Sequence, residues 1–168
     1  LFIYLSVLIY STIDTSGNVG TFATTSQAQL PATKSNHKAM TTSVGGTQYA
    51  YVIGGSTSTV YKATIDASAN VGTWATTSQG QLPQSLTFPQ SVITTINGTQ
   101  FIYVVGGGAS TVYKAAIDTS GNIGTFSTTS QGQLPVSLSG HAVVNATKNS
   151  QQYMYVIGGG SQSTVYRA

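Results

Sequence analysis

Short runs of alternating apolar and polar residues, bounded by Gly, Ser, Thr, Asn and Pro, extend along most of the chain. The run over 91–96 is mixed, whereas 101–105 is apolar at every position. In the next run Tyr113, Ala115 and Ile117 fall on one side. Runs of this length and period predict β-strands, and a run that is apolar on both faces indicates a strand buried between two layers. No window has a clear period of 3.6 residues, so we predict an all-β chain.

One stretch of the chain reads as four successive strands, a to d. Strand a covers 91–96 and strand b covers 101–105, with the hairpin dipeptide Asn97-Gly98 between them. Strand c covers 111–117 and strand d covers 123–128. The intervening residues 118–122 (Asp-Thr-Ser-Gly-Asn) have the composition of a turn, and 130–135 connects to the next group of strands.

The same pattern recurs at a spacing of 52 residues. The Leu-Pro pair recurs at Leu30, Leu82 and Leu134, and the Ile-Asp pair recurs at Asp14, Asp66 and Asp118. A run ending in Gly-Gly recurs at 51–55, 103–107 and 155–159, and Gly-Thr followed by an aromatic residue recurs at Phe22, Trp74 and Phe126. Repetition at a fixed spacing of this size is typical of repeat architectures.

The recurring order of an apolar strand, Gly-Gly, a Tyr-bearing strand, an aromatic residue and Leu-Pro resembles the kelch repeat. Kelch units of about 50 residues each form one blade of a β-propeller. The resemblance covers essentially the whole chain, with departures at Phe2-Ile3, which replaces Gly-Gly, and at Phe22 and Phe126, which replace Trp. It implies that the aromatic residue fills space between blades and that the Gly pair permits a sharp turn or a close approach of chains.

The resemblance implies four-stranded antiparallel units within a single repeat domain, 1–168. We expect a partial blade of strands c and d at 1–31, blades at 32–83 and 84–135, and a partial blade of strands a to c at 136–168. Known propellers have about four to eight blades, so a little over three should form an incomplete ring or an open array. Three explanations stay open: a piece of a longer protein, which the initial Leu favours; several copies completing a ring; or strand addition between subunits, giving a filament.

Charged residues make up 5% of the chain, against about 25% in typical domains, and the net charge is +3. Six scattered cations are a poor match for the many phosphate contacts of nucleic-acid binding, which we therefore do not expect. Polarity comes from Ser, Thr, Gln and Gly, a composition that favours an extracellular or cell-surface location. The apolar segment Leu1 to Tyr10 is shorter than the roughly 20 residues of a membrane span, and we expect a buried strand there.

The sequence contains few residues able to carry chemistry. Its only acidic residues, Asp14, Asp66 and Asp118, occupy one repeat position, which indicates turn formation rather than acid–base catalysis. His37 and His141 also share a repeat position and lack nearby metal-ligand partners, so we expect strand-end histidines that make hydrogen bonds.

The cations fall into two groups. Lys62, Lys114 and, after a one-residue insertion near Gln162, Arg167 are repeat equivalents and are expected to be solvated strand residues. Lys34, Lys38 and Lys148 lie outside the repeat and are too few to form a site.

Other site classes are disfavoured. The Gly runs at 106–108 and 158–160 lack the Gly-Lys-Ser/Thr of phosphate loops. The Ser residues lack a base and an orienting acid outside repeat positions. Some kelch-like propellers are copper oxidases, which implies a Tyr–Cys pair, but this chain has no Cys. We predict no catalytic, cofactor-binding or metal-binding residues and no cofactor.

These patterns predict a non-catalytic extracellular or cell-surface module for interaction or structure. Segments 75–83 and 127–135 differ at one position, and uniform loops suit a repetitive surface better than a dedicated pocket. Partners would be proteins, copies of the chain, or carbohydrate. The sequons at Asn97 and Asn145 weakly favour a surface location. The alternatives are a self-assembling filament subunit joined by strand addition, and the propeller portion of a carbohydrate-active enzyme whose catalytic residues lie elsewhere.

Overall fold

The computed structural model describes residues 8–25, 29–76, 80–129 and 132–168, and these residues form β-strands and turns without a helix. The all-β prediction is therefore confirmed. None of the described segments forms a helix with the length and apolarity that crossing a membrane requires.

The strands form one pair and three larger antiparallel sheets. The N-terminal pair consists of β1 (Leu8–Tyr10) and β2 (Ala23–Thr25). Sheet 1 contains β3 (His37–Val44), β4 (Thr47–Gly54), β5 (Val60–Ile65) and β6 (Ala75–Thr76). Sheet 2 contains β7 (Gln90–Ile96), β8 (Thr99–Val105), β9 (Val112–Ile117) and β10 (Ser127–Thr128). Sheet 3 contains β11 (Ala142–Lys148), β12 (Gln151–Ile157) and β13 (Val165–Arg167). Within each sheet the strands pair in chain order.

The first hairpin of each sheet closes through two residues with positive φ. Asn97 and Gly98 have φ of 49° and 79°, and Asn149 and Ser150 have φ of 51° and 62°. Two positive values identify type I′ turns, whose twist matches that of the flanking strands. The hairpin that Asn97-Gly98 predicts is confirmed, and its register pairs Ile96 with Thr99.

The second strands of sheets 1 and 2 form the centre of the core because both of their faces are largely covered. In β8, Ile102 and Val104 pack into a cluster with Tyr51 and Ile53 of sheet 1. On the opposite face, Val105 joins a cluster with residues of sheet 3 such as Val156. Alternate residues of one strand therefore serve two different inter-sheet cores.

The segments that connect the sheets also pair with the preceding sheet's loop. Isolated antiparallel bridges join Thr57 to Leu86 and Ala109 to Leu138. The side chains of Leu86 and Leu138 are buried, so each connection is held by both backbone and apolar contacts. Among the described residues, the outer face of sheet 3 is not covered by sheet 1 or the N-terminal pair, since Ile157 and Val165 are exposed there, so the series of sheets is open.

Three expectations need correction or fall partly outside the described residues. Strand d is shorter than 123–128, because β10 covers only Ser127–Thr128 and Ile123 makes a single bridge to Ile117. Trp74 and Phe126 are buried, but Phe22 is exposed and fills no space between sheets. Leu8–Tyr10 forms a strand, whereas residues 1–7, with the Phe2-Ile3 departure, lie outside the described residues.

Candidate functional site

The three aspartates build the same turn in three places. Asp118 Oδ1 accepts hydrogen bonds from the backbone N–H groups of Ser120 and Asn122, each at 2.8 Å. Its Oδ2 accepts one from Asn122 Nδ2 at 3.0 Å. Asp14 and Asp66 make the corresponding bonds within their own turns.

Hydrogen bonds from the Asn residues lower the pKa of all three carboxyl groups, which remain exposed to solvent. These carboxylates are committed acceptors in surface turns. A general acid or base requires a carboxyl group aimed at a substrate, and the turn bonds occupy these groups instead.

The two histidines have opposite environments although they share a repeat position. His37 begins β3 and is exposed, whereas His141 directly precedes β11 and is buried. The middle member of the same position is Pro89, which is fully buried. This repeat position therefore holds a buried side chain where a preceding sheet covers it, as at Pro89 and His141, and an exposed side chain at His37.

Both nitrogens of His141, Nδ1 and Nε2, are buried and have no partner at normal hydrogen-bond geometry, so the expected hydrogen bond is at most a weak one to the Val105 backbone. Burial lowers the pKa of His141, and the nearby Val105 backbone offsets part of that shift. Burial removes water from the ring and disfavours the charged imidazolium, so His141 resists protonation.

The Gly pair allows the close approach of neighbouring chains near His141. A methyl group added to Gly106 would lie 2.6 Å from His141 Cε1 and 2.8 Å from the Leu138 carbonyl oxygen. A methyl group on Gly159 would lie 2.7 Å from His141 Cβ. The lack of a side chain at Gly106 therefore leaves room for His141 and Leu138, which lead into sheet 3, and the lack of one at Gly159 leaves room for the residues just before β11.

A glutamine at the start of each second strand links consecutive sheets. Gln100 Nε2 donates to the Ser43 carbonyl at 2.9 Å, and Gln152 Nε2 donates to the Thr95 carbonyl at 2.7 Å. Thr42 and Thr94 hydroxyls hydrogen-bond to the corresponding amide oxygens. Sequence reasoning missed this bridge, although the 52-residue spacing of Gln48, Gln100 and Gln152 could have indicated it.

Three side chains of sheet 1 contact the 118–122 turn of sheet 2, by hydrogen bonds and by ring packing. The Tyr51 hydroxyl donates to the Gly121 carbonyl at 2.7 Å, and burial raises the pKa of this phenol. The Tyr49 ring packs so closely on Gly121 that a Cβ there would lie 2.6 Å from the ring. Lys62 Nζ donates to Ser120 O at 3.1 Å and Asn122 Oδ1 at 2.6 Å. Lys62 is thus more than a solvated strand residue.

Three further cations, Lys34, Lys114 and Arg167, lie over aromatic rings or make loop contacts. Lys114 lies 4.7 Å from the centroid of the Phe101 ring, and Arg167 lies 5.7 Å from that of Tyr153. Lys34 donates to the Gly54 carbonyl at 3.2 Å and to the Thr57 hydroxyl. Desolvation lowers the pKa of Lys34. These cations tie surface loops to sheets rather than forming one basic patch.

A cleft of about 1130 Å³ with both polar and apolar walls lies between sheets 1 and 2. Its walls include the Lys62 and Gln100 side chains and the Asp118–Asn122 turn. The smaller cavity between sheets 2 and 3, about 270 Å³, has mainly apolar walls that include Tyr103 and Met154. The Gln100 amide and the Lys62 ammonium in these walls already make hydrogen bonds between the two sheets.

Lys62 and Asp118 come close enough for the lysine charge to lower the carboxyl pKa. Within the described residues, no three His, Asp or Glu side chains form a group that could hold a metal ion.

The two sequons differ in local structure. Asn97 is exposed at a hairpin turn, whereas the Asn145 side chain donates to the Ile93 carbonyl at 3.1 Å. Asn97 is the more accessible acceptor position.

Comparison with known proteins gives no match to this chain, either among protein-family models or among curated proteins.

Proposed function

We propose that this chain is a non-catalytic interaction or structural module of an extracellular or cell-surface protein, built of kelch-like β units. The observation that carries the proposal is that all three carboxylates are engaged in the same surface turn. The three aspartates, which are the residues best suited to acid–base catalysis, instead stabilise the same turn in successive repeats. The low fraction of charged residues and the abundance of Ser, Thr and Gln support the extracellular location.

The uniform contacts between sheets support an architectural role. Two Gln bridges of the same kind link sheet 1 to sheet 2 and sheet 2 to sheet 3. Repeated contacts of this kind extend a framework by adding similar units. A carbohydrate partner would fit in the cleft between sheets 1 and 2, whose walls carry both polar and apolar groups.

The location is tested on intact cells of the producing organism with an antibody raised against the purified chain. We expect labelling without permeabilisation, or recovery of the protein from the medium. Labelling that requires permeabilisation would contradict an extracellular role.

The absence of catalysis is tested by incubating the purified chain with a panel of cell-wall polysaccharides and measuring release of reducing ends. We expect no release above that of the heat-denatured chain. The control is the triple variant Asp14→Asn, Asp66→Asn and Asp118→Asn, which removes every side-chain carboxylate. Release that the triple variant abolishes would instead favour a carbohydrate-active enzyme.

A further inference from the structure

The contact between sheets 1 and 2 defines two different faces. One face belongs to the earlier sheet and presents Tyr49, Tyr51, Ile53 and Val60. The opposing face belongs to the later sheet and includes Ile117, Ile123 and Phe126 from the turn and its flanks. Each sheet thus uses one face to contact the sheet that follows it in the chain, and the other face to contact the sheet that precedes it.

Sheet 3 exposes the face that is covered in sheet 2. Val165 is 56% exposed, whereas its equivalent in sheet 2, Val112, is 6% exposed. Ile157 is 42% exposed, whereas its equivalent, Val105, is fully buried. We call the outward-facing residues of sheet 3 the C-terminal face: Val144, Tyr153, Tyr155, Ile157, Val165 and Arg167.

The N-terminal part of the chain exposes the opposite kind of face. Phe22 is 64% exposed, whereas its equivalent in sheet 2, Phe126, is 4% exposed. Ile13 and Val19 are likewise exposed. With the turn 14–18, these three residues form the surface that we call the N-terminal face.

The polar groups on the two faces match those that meet inside the molecule. Tyr153, Tyr155 and Arg167 occupy the repeat positions of Tyr49, Tyr51 and Lys62, and Arg167 lies over Tyr153 as Lys62 lies over Tyr49. Gly17 occupies the position of Gly121, and no atom lies within 4 Å of a Cβ built on it. Where the Tyr49 ring covers Gly121, the corresponding space over Gly17 is open.

We propose that the C-terminal face of one copy of this chain binds the N-terminal face of a second copy. The contact repeats the one between sheets 1 and 2: the Tyr153 ring covers Gly17, and the Tyr155 hydroxyl donates to the Gly17 carbonyl. Arg167 donates to the Ser16 carbonyl and the Asn18 side chain, close to the Asp14 carboxylate. This proposal rests on the proposed structural function and names the partner.

The two faces differ, so the contact is heterologous and leaves one free face of each kind on the resulting dimer. The same contact then adds further copies, giving an open series or, where the rotation closes, a ring. Apolar exposure at both ends provides the driving force, since burying such surface contributes about 25 cal/mol per Å².

The experiment uses two variants of the 168-residue chain, each blocked at one face. Val165→Asp blocks the C-terminal face, and Phe22→Asp blocks the N-terminal face; both residues are solvent-exposed, so the fold should tolerate the change. The matched control is Val136→Gln, which changes an exposed apolar residue away from both faces to the residue at its repeat equivalent, Gln84. Mass is measured by sedimentation at chain concentrations up to about 100 μM.

We expect the unaltered chain and Val136→Gln to associate beyond the 17.3 kDa monomer. Each blocked variant alone should stay monomeric, and an equimolar mixture of the two should form a dimer containing one copy of each and nothing larger. In that dimer the two altered residues do not meet. An unaltered chain that stays monomeric, blocked variants that still associate alone, or a mixture that stays monomeric would each overturn the proposal.

Tyr155→Phe tests the specific hydrogen bond, because it removes one hydroxyl and leaves the apolar face intact. Loss of one hydrogen bond should weaken association by about three- to tenfold. Unchanged association would overturn the assigned pairing. Cell labelling and polysaccharide assays do not depend on self-association, so failure of the docking contact is distinguishable from failure of the proposed function.

Discussion

Sheets 2 and 3 have similar sequences in their second and third strands, yet equivalent positions are buried in one sheet and exposed in the other. Val92, Val105 and Val112 are buried in sheet 2, whereas the equivalent side chains of sheet 3 are among the exposed large apolar residues. Sheet 2 lies between two neighbours, and sheet 3 has one. Burial in this molecule is therefore conferred by the adjacent sheet, whereas strand formation is a property of each local sequence.

The largest expected effect comes from the first Gly after the second strand. Gly106 and Gly158 have similar φ values of 64° and 66°, so Ala at either position incurs the same backbone strain, about 1–2 kcal/mol. Only Gly106→Ala also collides with the next sheet, which adds about 1–3 kcal/mol. Urea unfolding should therefore show a loss of about 2–5 kcal/mol for Gly106→Ala and of about 1–2 kcal/mol for Gly158→Ala. Equal losses would mean that sheet 3 does not press on Gly106.

A second comparison removes apolar atoms at one repeat position. Val105→Ala deletes two buried methyl groups and leaves a cavity between sheets 2 and 3, which should cost about 2 kcal/mol of unfolding free energy. Ile157→Ala removes more atoms, but from a half-exposed side chain, and should cost less than about 1 kcal/mol in the monomer. Measurement at low chain concentration keeps association from adding to the second value. A greater loss for Ile157→Ala would contradict the burial difference.

The third comparison uses pH to separate His141 from His37. Burial holds the folded-state pKa of His141 below its ordinary value near 6.5, so the neutral form is favoured in the folded chain. Below pH of about 6.5 the unfolded chain binds a proton that folded His141 does not, and stability falls as pH falls. The slope is at most about 1.4 kcal/mol per pH unit for one proton.

We expect His141→Pro, which copies Pro89, to remove this dependence between about pH 7.5 and pH 5, while His37→Asn keeps it. The aspartates do not interfere with this test. Their pKa values are lowered in the folded chain, so their stabilising effect is fully present at pH 5 and is lost only as pH falls below about 3.8. An unchanged pH profile in His141→Pro would contradict the burial of a neutral imidazole. If His141→Pro does not fold, His141→Leu serves the same purpose.

The smallest expected effect concerns the cations over aromatic rings. Lys62 and Lys114 both lie over a ring, but only Lys62 also reaches the turn of the next sheet. Lys62→Ala should therefore lose about 0.5–1 kcal/mol more than Lys114→Ala, measured by thermal unfolding at low ionic strength. Equal losses would show that the contact with Ser120 and Asn122 adds no stability.

Local interactions explain what could be predicted from sequence. Asn97-Gly98 adopts a type I′ turn because both residues tolerate positive φ, and Asp118 closes its turn through atoms within four residues. The absence of helical periodicity correctly predicted an all-β chain. The contacts of the candidate site were less predictable. The hydrogen bond from Gln152 to Thr95 joins residues 57 positions apart, and that from Tyr51 to Gly121 joins residues 70 positions apart.

Most strands and turns follow from local sequence, because backbone preference and hydrogen bonds between near neighbours suffice to form them. Packing between sheets sets which equivalent side chains are buried: Phe126 but not Phe22, and His141 but not His37. A repeated sequence specifies the same face each time, and whether water leaves that face depends on another sheet packing against it.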